Sequence, residues 1–214
     1  LGVTLLRVGV VEDHAMLRES LALGLEGDTR LDVVGTFPDL ESVEQAAEDL
    51  KVDVLVADLE LGTRLGTELV GDVSRRLGAR VLLMSGTGDL RGVLAALDAG
   101  CSGFISKGAT LDEVIEAVLT VGRGGAVFPN DVLGKVMSSG LDRPGATLTG
   151  RELEVLALLA SGYSAQEIAD HLHVSLNTSR NHIAAVLQKL GARSQLEAVV
   201  TAARAGLIRV GWER

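Results

Sequence analysis

The chain has 214 residues, a formal net charge of −9 and a mean hydropathy of +0.31, which is length enough for two domains that each bury a core. No uncharged apolar stretch approaches the roughly 18 residues of a membrane helix, and the N-terminal apolar run is broken at Arg7 and Glu12, which argues against a signal peptide. A single cysteine, Cys101, excludes an intrachain disulfide and a multi-cysteine zinc site.

Charge is divided along the chain. Residues 1–140 carry 22 Asp and Glu against 12 Lys and Arg, and residues 141–214 carry 7 against 8. The acidic part is unsuited to a polyanion, whereas the second part is able to present a local basic face. Composition therefore predicts a soluble cytoplasmic protein without a membrane partner. Cys101 reads as core packing, and the histidines His14, His171, His173 and His182 lack partners at a recognised metal spacing.

In residues 5–122, short β-branched runs alternate with helical segments, as in a parallel sheet covered on both faces. Strands are expected near 5–11, 32–36, 52–57, 80–84 and 103–106, and amphipathic helices over 14–25, 40–50, 66–77 and 89–99. Thr110 with Glu113 opens a last helix as a capping box. From Gly122 the pattern changes to a loop and a short helix containing Pro129, and SSGLDRPGA at 138–146 has the composition of a linker. The expected division is an α/β domain over 1–122, a linker with a short helix over 123–146, and a helical domain over 147–214. In the last part Thr149 with Glu152, Ser164 with Glu167, and Ser194 with Glu197 read as three further capping boxes, and a fourth helix starts at Ser175. The turn HLHVS between the second and third helices defines a helix-turn-helix.

Chemistry concentrates where the predicted strands end. Glu12 and Asp13 follow LLRVGVV, Asp58 closes VDVLVA, Ser85 closes RVLLM, and Lys107 closes SGFIS. In a parallel sheet such ends share one crevice. A carboxylate accepts a phosphoryl group only when the charge of the transferring oxygens is neutralised. Glu12, Asp13 and Asp58 can hold Mg2+, which takes oxygen ligands, while Ser85 can donate a hydrogen bond to a phosphoryl oxygen and Lys107 can pair with another.

These residues resemble the receiver domain of two-component response regulators, with VVEDH for the acidic pair, VADLEL for the phosphoacceptor, LLMSGTG for the hydroxyl and GCSGFISKG for the lysine. The resemblance implies a flavodoxin-like fold: a doubly wound five-stranded parallel sheet. It also implies that Asp58 takes phosphate from a histidine kinase, that Asp13, Asp58 and the backbone carbonyl of Glu60 bind Mg2+, and that Ser85 and Phe104 form a switch pair. Three positions depart from the pattern: Lys107 is followed by Gly108, not the proline of many receivers, and two more lie in the loop after Asp58. Gly62 stands where such loops commonly carry proline, and Leu65 where an acidic residue is frequent, so the loop after Asp58 is expected to be more flexible than usual.

In LNTSRNHIAAVLQKLGA, the side chains Leu176, Ile183, Val186, Leu187 and Leu190 share one face, and Asn181, Ala184, Ala185 and Gln188 face away from it. Small and polar residues outward, after a capped helix and a tight turn, suit insertion into the major groove of DNA. Arg180 lies at the border of the faces, placed for phosphate more than for a base edge. Residues 148–199 resemble the LuxR-type helix-turn-helix over about fifty residues, through Leu148-Thr149, Arg151-Glu152, Gly162, Glu167-Ile168-Ala169, Leu172, Ser175, Thr178, Arg180, His182, Lys189-Leu190-Gly191 and Ala198-Val199. That resemblance implies base or backbone contacts by Arg180, Asn181 and Ala184, with Thr178 and Lys189 near phosphates. Ser179 departs from the usual valine, and Ala184 replaces what is often a polar or basic residue.

The sequence thus resembles a response regulator of the NarL/FixJ type, a receiver followed by a small all-α helix-turn-helix domain that binds double-stranded operator DNA as a homodimer, since one short helix reads few bases. It reads as a regulator, not an enzyme. An aspartyl-phosphate phosphatase would want a second acid two residues after the nucleophile, where Glu60 is only an approximate match. The nearer alternative is a regulator of this architecture controlled by a ligand or by oligomer state without phosphorylation. The opposed charges of the two parts lead to one further expectation, that the acidic receiver covers the surface from Arg180 to Gln188.

Overall fold

The computed structural model describes residues 5–46, 50–61, 64–65, 70–71, 76–86, 90–128, 148–205 and 207–208. The first domain runs β1 (Leu6–Val11), α1 (Ala15–Glu26), β2 (Leu31–Phe37), α2 (Leu40–Ala46), β3 (Val54–Asp58), β4 (Glu60–Leu61), β5 (Arg64–Leu65), β6 (Arg80–Ser85), α3 (Leu90–Ala99), β7 (Gly103–Ser106) and α4 (Leu111–Gly122). Five parallel strands lie in the order β2-β1-β3-β6-β7, the doubly wound order with its switch point between β1 and β3. β3 is buried along its whole length, which is why VLVAD reads as a continuous apolar run.

Alternation within the strands sorts the core into two layers. Val8, Val10, Val54, Val56, Leu82 and Met84 pack with α1 and α4 on one face. Leu55, Ala57, Val81 and Leu83 pack with α2 and α3 on the other. The five expected strands are present with ends shifted by no more than two residues. The helix expected over 66–77 and the short linker helix fall largely or wholly outside the described residues.

After Asp58, Glu60 pairs with Leu65 and Leu61 with Arg64 in a two-residue antiparallel ladder; Gly62, on which the expectation of a flexible loop chiefly rests, lies outside the described residues.

The expected boundary at Gly122 coincides with the end of α4, but packing on the receiver continues beyond it. Val127 makes a parallel bridge to Gly103, the Phe104 amide donates to the Val127 carbonyl at 2.9 Å, and the Phe128 ring meets Phe104 edge-on at 5.9 Å. A side chain at Gly103 would meet Leu82 at 2.9 Å and the Val127 carbonyl at 3.3 Å, so glycine is what lets this segment lie against β7.

The second domain comprises α5 (Gly150–Ala160), α6 (Ala165–His171), α7 (Leu176–Leu190) and α8 (Gln195–Arg204), around Val155, Leu156, Leu159, Ile168, Ile183, Val186 and Leu190. Thr149 and Ser164 form reciprocal capping boxes with Glu152 and Glu167. At the third expected box only half forms. Ser194 accepts from the Glu197 amide, but the Glu197 carboxylate accepts from the Arg193 amide at 2.6 Å, one residue earlier than a capping box requires. The turn between α6 and α7 takes a left-handed residue, His173, at φ 53°.

Helix α8 is buried on two sides. Ala198, Val199 and Ala202 face their own domain, whereas Leu196 and Val200 join the receiver cluster that holds Val93, Ala96, Leu97 and Cys101. Arg193 donates to the Asp98 carbonyl across the same junction at 2.7 Å. The receiver therefore meets α8 and leaves Arg180, Asn181, Ala184 and Gln188 exposed. This overturns the expectation that it covers that surface. Apolar area on α8, not opposed charge, selects the contact.

Candidate functional site

Backbone hydrogen bonds between parallel strands bring the strand ends to one edge. Asp58 pairs with Met84 and Ser85 with Ser106, the Leu59 amide donates to the Met84 carbonyl at 2.8 Å, and the Lys107 amide donates to the Ser85 carbonyl at 2.8 Å. Register alone thus places Asp58, Ser85 and Lys107 side by side.

Lys107 joins two nearly buried carboxylates. Its Nζ lies 2.6 Å from Asp58 Oδ2 and 3.1 Å from Glu12 Oε2, and Asp58 and Glu12 are 4% and 2% exposed. Burial acts against the lysine charge, but hydrogen bonds to Asp58 and then Glu12 outweigh it and hold the ammonium above the usual lysine value. The second oxygen of Asp58, Oδ1, accepts from the Glu60 amide at 3.2 Å. Ser85 is half-buried.

The acidic pair has partners that sequence reasoning passed over. Glu12 Oε1 accepts from the His14 amide at 3.1 Å and lies 3.0 Å from His14 Nδ1, which is 2.7 Å from Asp13 Oδ1. The hydrogen bond to Glu12, then the charge of Asp13, raises the His14 pKa from its ordinary value. Arg18 Nη1 donates to the Glu12 carbonyl at 2.7 Å. Glu12, Asp13 and His14 bring oxygen and nitrogen atoms within 4.8 Å of one another, so His14 does have carboxylate partners, through adjacency instead of a helical metal spacing. The signal was present in EDHAMLR, where cations follow the acids at short range.

Phe104 is 1% exposed and lies beneath Phe128. Both rings line a cavity of about 930 Å³ between β7, α4 and the turn before α6, where Tyr163 and Glu167 also contribute. Phe128 was not expected at this place.

In the second domain, Ser175 caps α7 by accepting from the Thr178 amide, and its hydroxyl lies 2.8 Å from that of Thr178. Ser179, fully buried, donates to the Ala165 carbonyl at 2.8 Å, which explains a hydroxyl where valine is usual: it fastens α7 to the start of α6. Arg180, Asn181, Ala184 and Gln188 are exposed together on the opposite side.

Lys189 is placed differently from its expectation. Its Nζ is 2.7 Å from Glu152 Oε2, so it joins α7 to α5. The hydrogen bond from Lys189, with those from Thr149, lowers the Glu152 pKa to about 2. A depressed carboxylate stabilises the folded state above its unfolded pKa, near 4.5, and loses that contribution as pH falls through about 2. Lys189→Ala is therefore expected to lower the melting temperature by a few degrees at pH 7, with the difference closing between pH 4.5 and 2. The slope of log DNA affinity against log salt stays unchanged in that variant, whereas loss of a phosphate contact would reduce it by about 0.9.

Comparison with known proteins agrees with both halves. Residues 8–119 match the family described as the response regulator receiver domain, and residues 146–202 match the luxR family of bacterial regulatory proteins. The response regulator protein VraR of Staphylococcus aureus is 31% identical over 207 residues, spanning 95% of this chain and 99% of that protein. Among solved structures, the response regulator ChrA of a heme-sensing two-component system is 26% identical at a TM-score of 0.51, covering 95% of this chain and 99% of that one. The receiver domain of NarL from Mycobacterium tuberculosis is 32% identical at 0.52, covering 56% and 98%. RcsB of Salmonella enterica serovar Typhimurium, solved with promoter DNA and a phosphomimetic, shares the fold at 22% identity and a TM-score of 0.54, covering 94% and 99%.

Proposed function

The chain belongs to the response regulators of the NarL/FixJ type, a receiver joined to a luxR-type DNA-binding domain, and on that premise we propose that it accepts phosphate on Asp58 from a histidine kinase and binds double-stranded operator DNA as a homodimer in the cytoplasm. The observation that carries the reading is the Asp58–Lys107–Glu12 arrangement, a nearly buried carboxylate at the sheet edge with a cation 2.6 Å away.

In the transfer, an Asp58 carboxylate oxygen forms the new bond to phosphorus, and the bond to the donor nitrogen breaks with its electron pair leaving on the kinase histidine. Lys107, already at Asp58, pairs with the added phosphoryl charge of roughly −1.5 to −2, and the Ser85 hydroxyl is near enough in register to bond a phosphoryl oxygen. The oxygen-rich donor set of Glu12 and Asp13 beside Asp58 fits Mg2+; Glu12, Asp13, Asp58 and the Glu60 carbonyl are the groups that would hold it. When bound, the ion neutralises charge on the transferring oxygens. Movement of Ser85 toward the phosphoryl group alters the packing around Phe104, and through Phe128 that change reaches the segment leading to the second domain.

The dimeric reading has support in a protein of the same fold. RcsB is described as dimers bound to DNA, and two copies of the α7 surface on a palindromic site double the bases that one helix reads. Arg180, Asn181, Ala184, Gln188 and Thr178 are the groups assigned to DNA.

Incubation with acetyl phosphate and Mg2+ tests the receiver chemistry. A phosphoadduct is expected in the native chain and absent in Asp58→Asn, read by intact mass. Lack of an adduct with any small phosphodonor would favour control by a ligand, the reading to which the cavity beside Phe104 and Phe128 lends support.

A further inference from the structure

The exposed side of α7 is richer in carboxamides than in cations. Asn177, Asn181, Ala184 and Gln188 are all exposed, and at about 100° per residue they fall within a sector of about 60°. Ser179, Ile183, Val186 and Leu190, the buried positions, point the opposite way. The roll of the helix is fixed by chemistry as well as by area, because Ser179 is hydrogen-bonded to the Ala165 carbonyl at 2.8 Å. Among the described residues no hydrogen bond or ion pair engages the side chains of Asn177, Asn181 or Gln188.

We propose that Asn177, together with Asn181, reads adenine in the major groove, so that each operator half-site carries two A·T pairs about two base-pair steps apart. The proposal rests on the DNA-binding reading of α7 and gives it a target chemistry. A carboxamide donates to one adenine edge atom and accepts from another in a bidentate pair, which no other base edge offers it equally. Asn177 lies in the first turn of α7, and the N-terminal residues of a recognition helix reach base edges. Four residues rise about 6 Å along the axis, close to two steps of about 3.4 Å. Ala184, one turn beyond Asn181, leaves room for the helix to sit deep enough for both amides. Gln188 lies about 10 Å past Asn181, where a straight helix leaves the curving groove. Arg180, at the edge of the stripe, is left for phosphate.

Selection of bound sequences from random duplexes tests this with the full chain, run with and without acetyl phosphate and Mg2+ at one fixed salt concentration. The native chain is expected to enrich half-sites with the two A·T pairs. Asn177→Ala loses preference at one of them, with about tenfold less discrimination there, and Asn181→Ala loses the other. Asn177→Arg converts the first position to G·C, since arginine pairs with guanine. Asn177 is exposed, so these variants keep the fold, which far-ultraviolet circular dichroism checks. Unchanged half-sites in both Asn177→Ala and Asn177→Arg overturn the proposal. If the native chain retains no sequence above random duplex with or without phosphodonor, the DNA-binding reading itself falls, and this one with it.

Discussion

Lys107→Met is expected to destabilise the metal-free protein by about 3 kcal/mol, measured as a lower urea midpoint at pH 7. The lysine is the shared partner of Asp58 and Glu12, at 2.6 and 3.1 Å, and both carboxylates are almost out of contact with water. Removing one partner of a buried ion pair costs about 3–5 kcal/mol, because the remaining charge stays desolvated. The low end applies, since the lysine side chain retains 24% exposure. Methionine keeps the length and apolar volume, so packing contributes little to the loss. The pH dependence has a definite sign. Lys107 is held above its unfolded value of 10.5, so its contribution is complete below that value and disappears as pH rises through the folded one. Millimolar Mg2+ restores part of the lost stability, because a cation again faces the acids. An unchanged midpoint without Mg2+ would show that the three groups do not form the unit described.

What the sequence disclosed, and what it hid, follows from how each contact is made. Asp58, Ser85 and Lys107 were legible because β-branched runs mark strand ends, and parallel register then places neighbouring ends together. The Arg18 bond to the Glu12 carbonyl was not, since a backbone acceptor leaves no mark in composition. For Lys189 the resemblance implied a place near phosphate; that its ammonium meets Glu152 depends on where α5 crosses α7, which no local pattern encodes. The ladder Glu60–Leu61 with Arg64–Leu65 left no pattern in the sequence, since two-residue strands are too short to show alternation. Leu196 and Val200 did carry a signal: with Ala198, Val199 and Ala202 they make α8 apolar on more than one side, and such a helix is buried on more than one side.

Val200→Asp is expected to undock the two domains. Val200 is 2% exposed within the receiver cluster around Cys101, whereas the contacts of α8 with its own domain run through Ala198, Val199 and Ala202. An aspartate there would be desolvated without a partner, at a cost of several kcal/mol to the docked arrangement, while the helical domain keeps its core. Cys101 reports the change. It is the only cysteine in the chain, it is fully buried, and burial first, then the charge of Glu197, pushes its thiol well above the ordinary value. Reaction with a thiol reagent therefore proceeds through the open form, and its rate follows the open population. A shift of about 3 kcal/mol in opening raises that rate by about 100-fold, and small-angle scattering of the monomer shows a larger radius of gyration. Val200→Ala, which shrinks the contact without placing a charge in it, falls between. A native rate in Val200→Asp, with helix content intact by circular dichroism, would mean that α8 does not hold the receiver. Because Arg180, Asn181, Ala184 and Gln188 are open before undocking, the affinity of one domain for one half-site stays within about twofold of native. Any gain on a two-site operator then comes from the freedom of two copies to reach both half-sites, not from uncovering the reading helix.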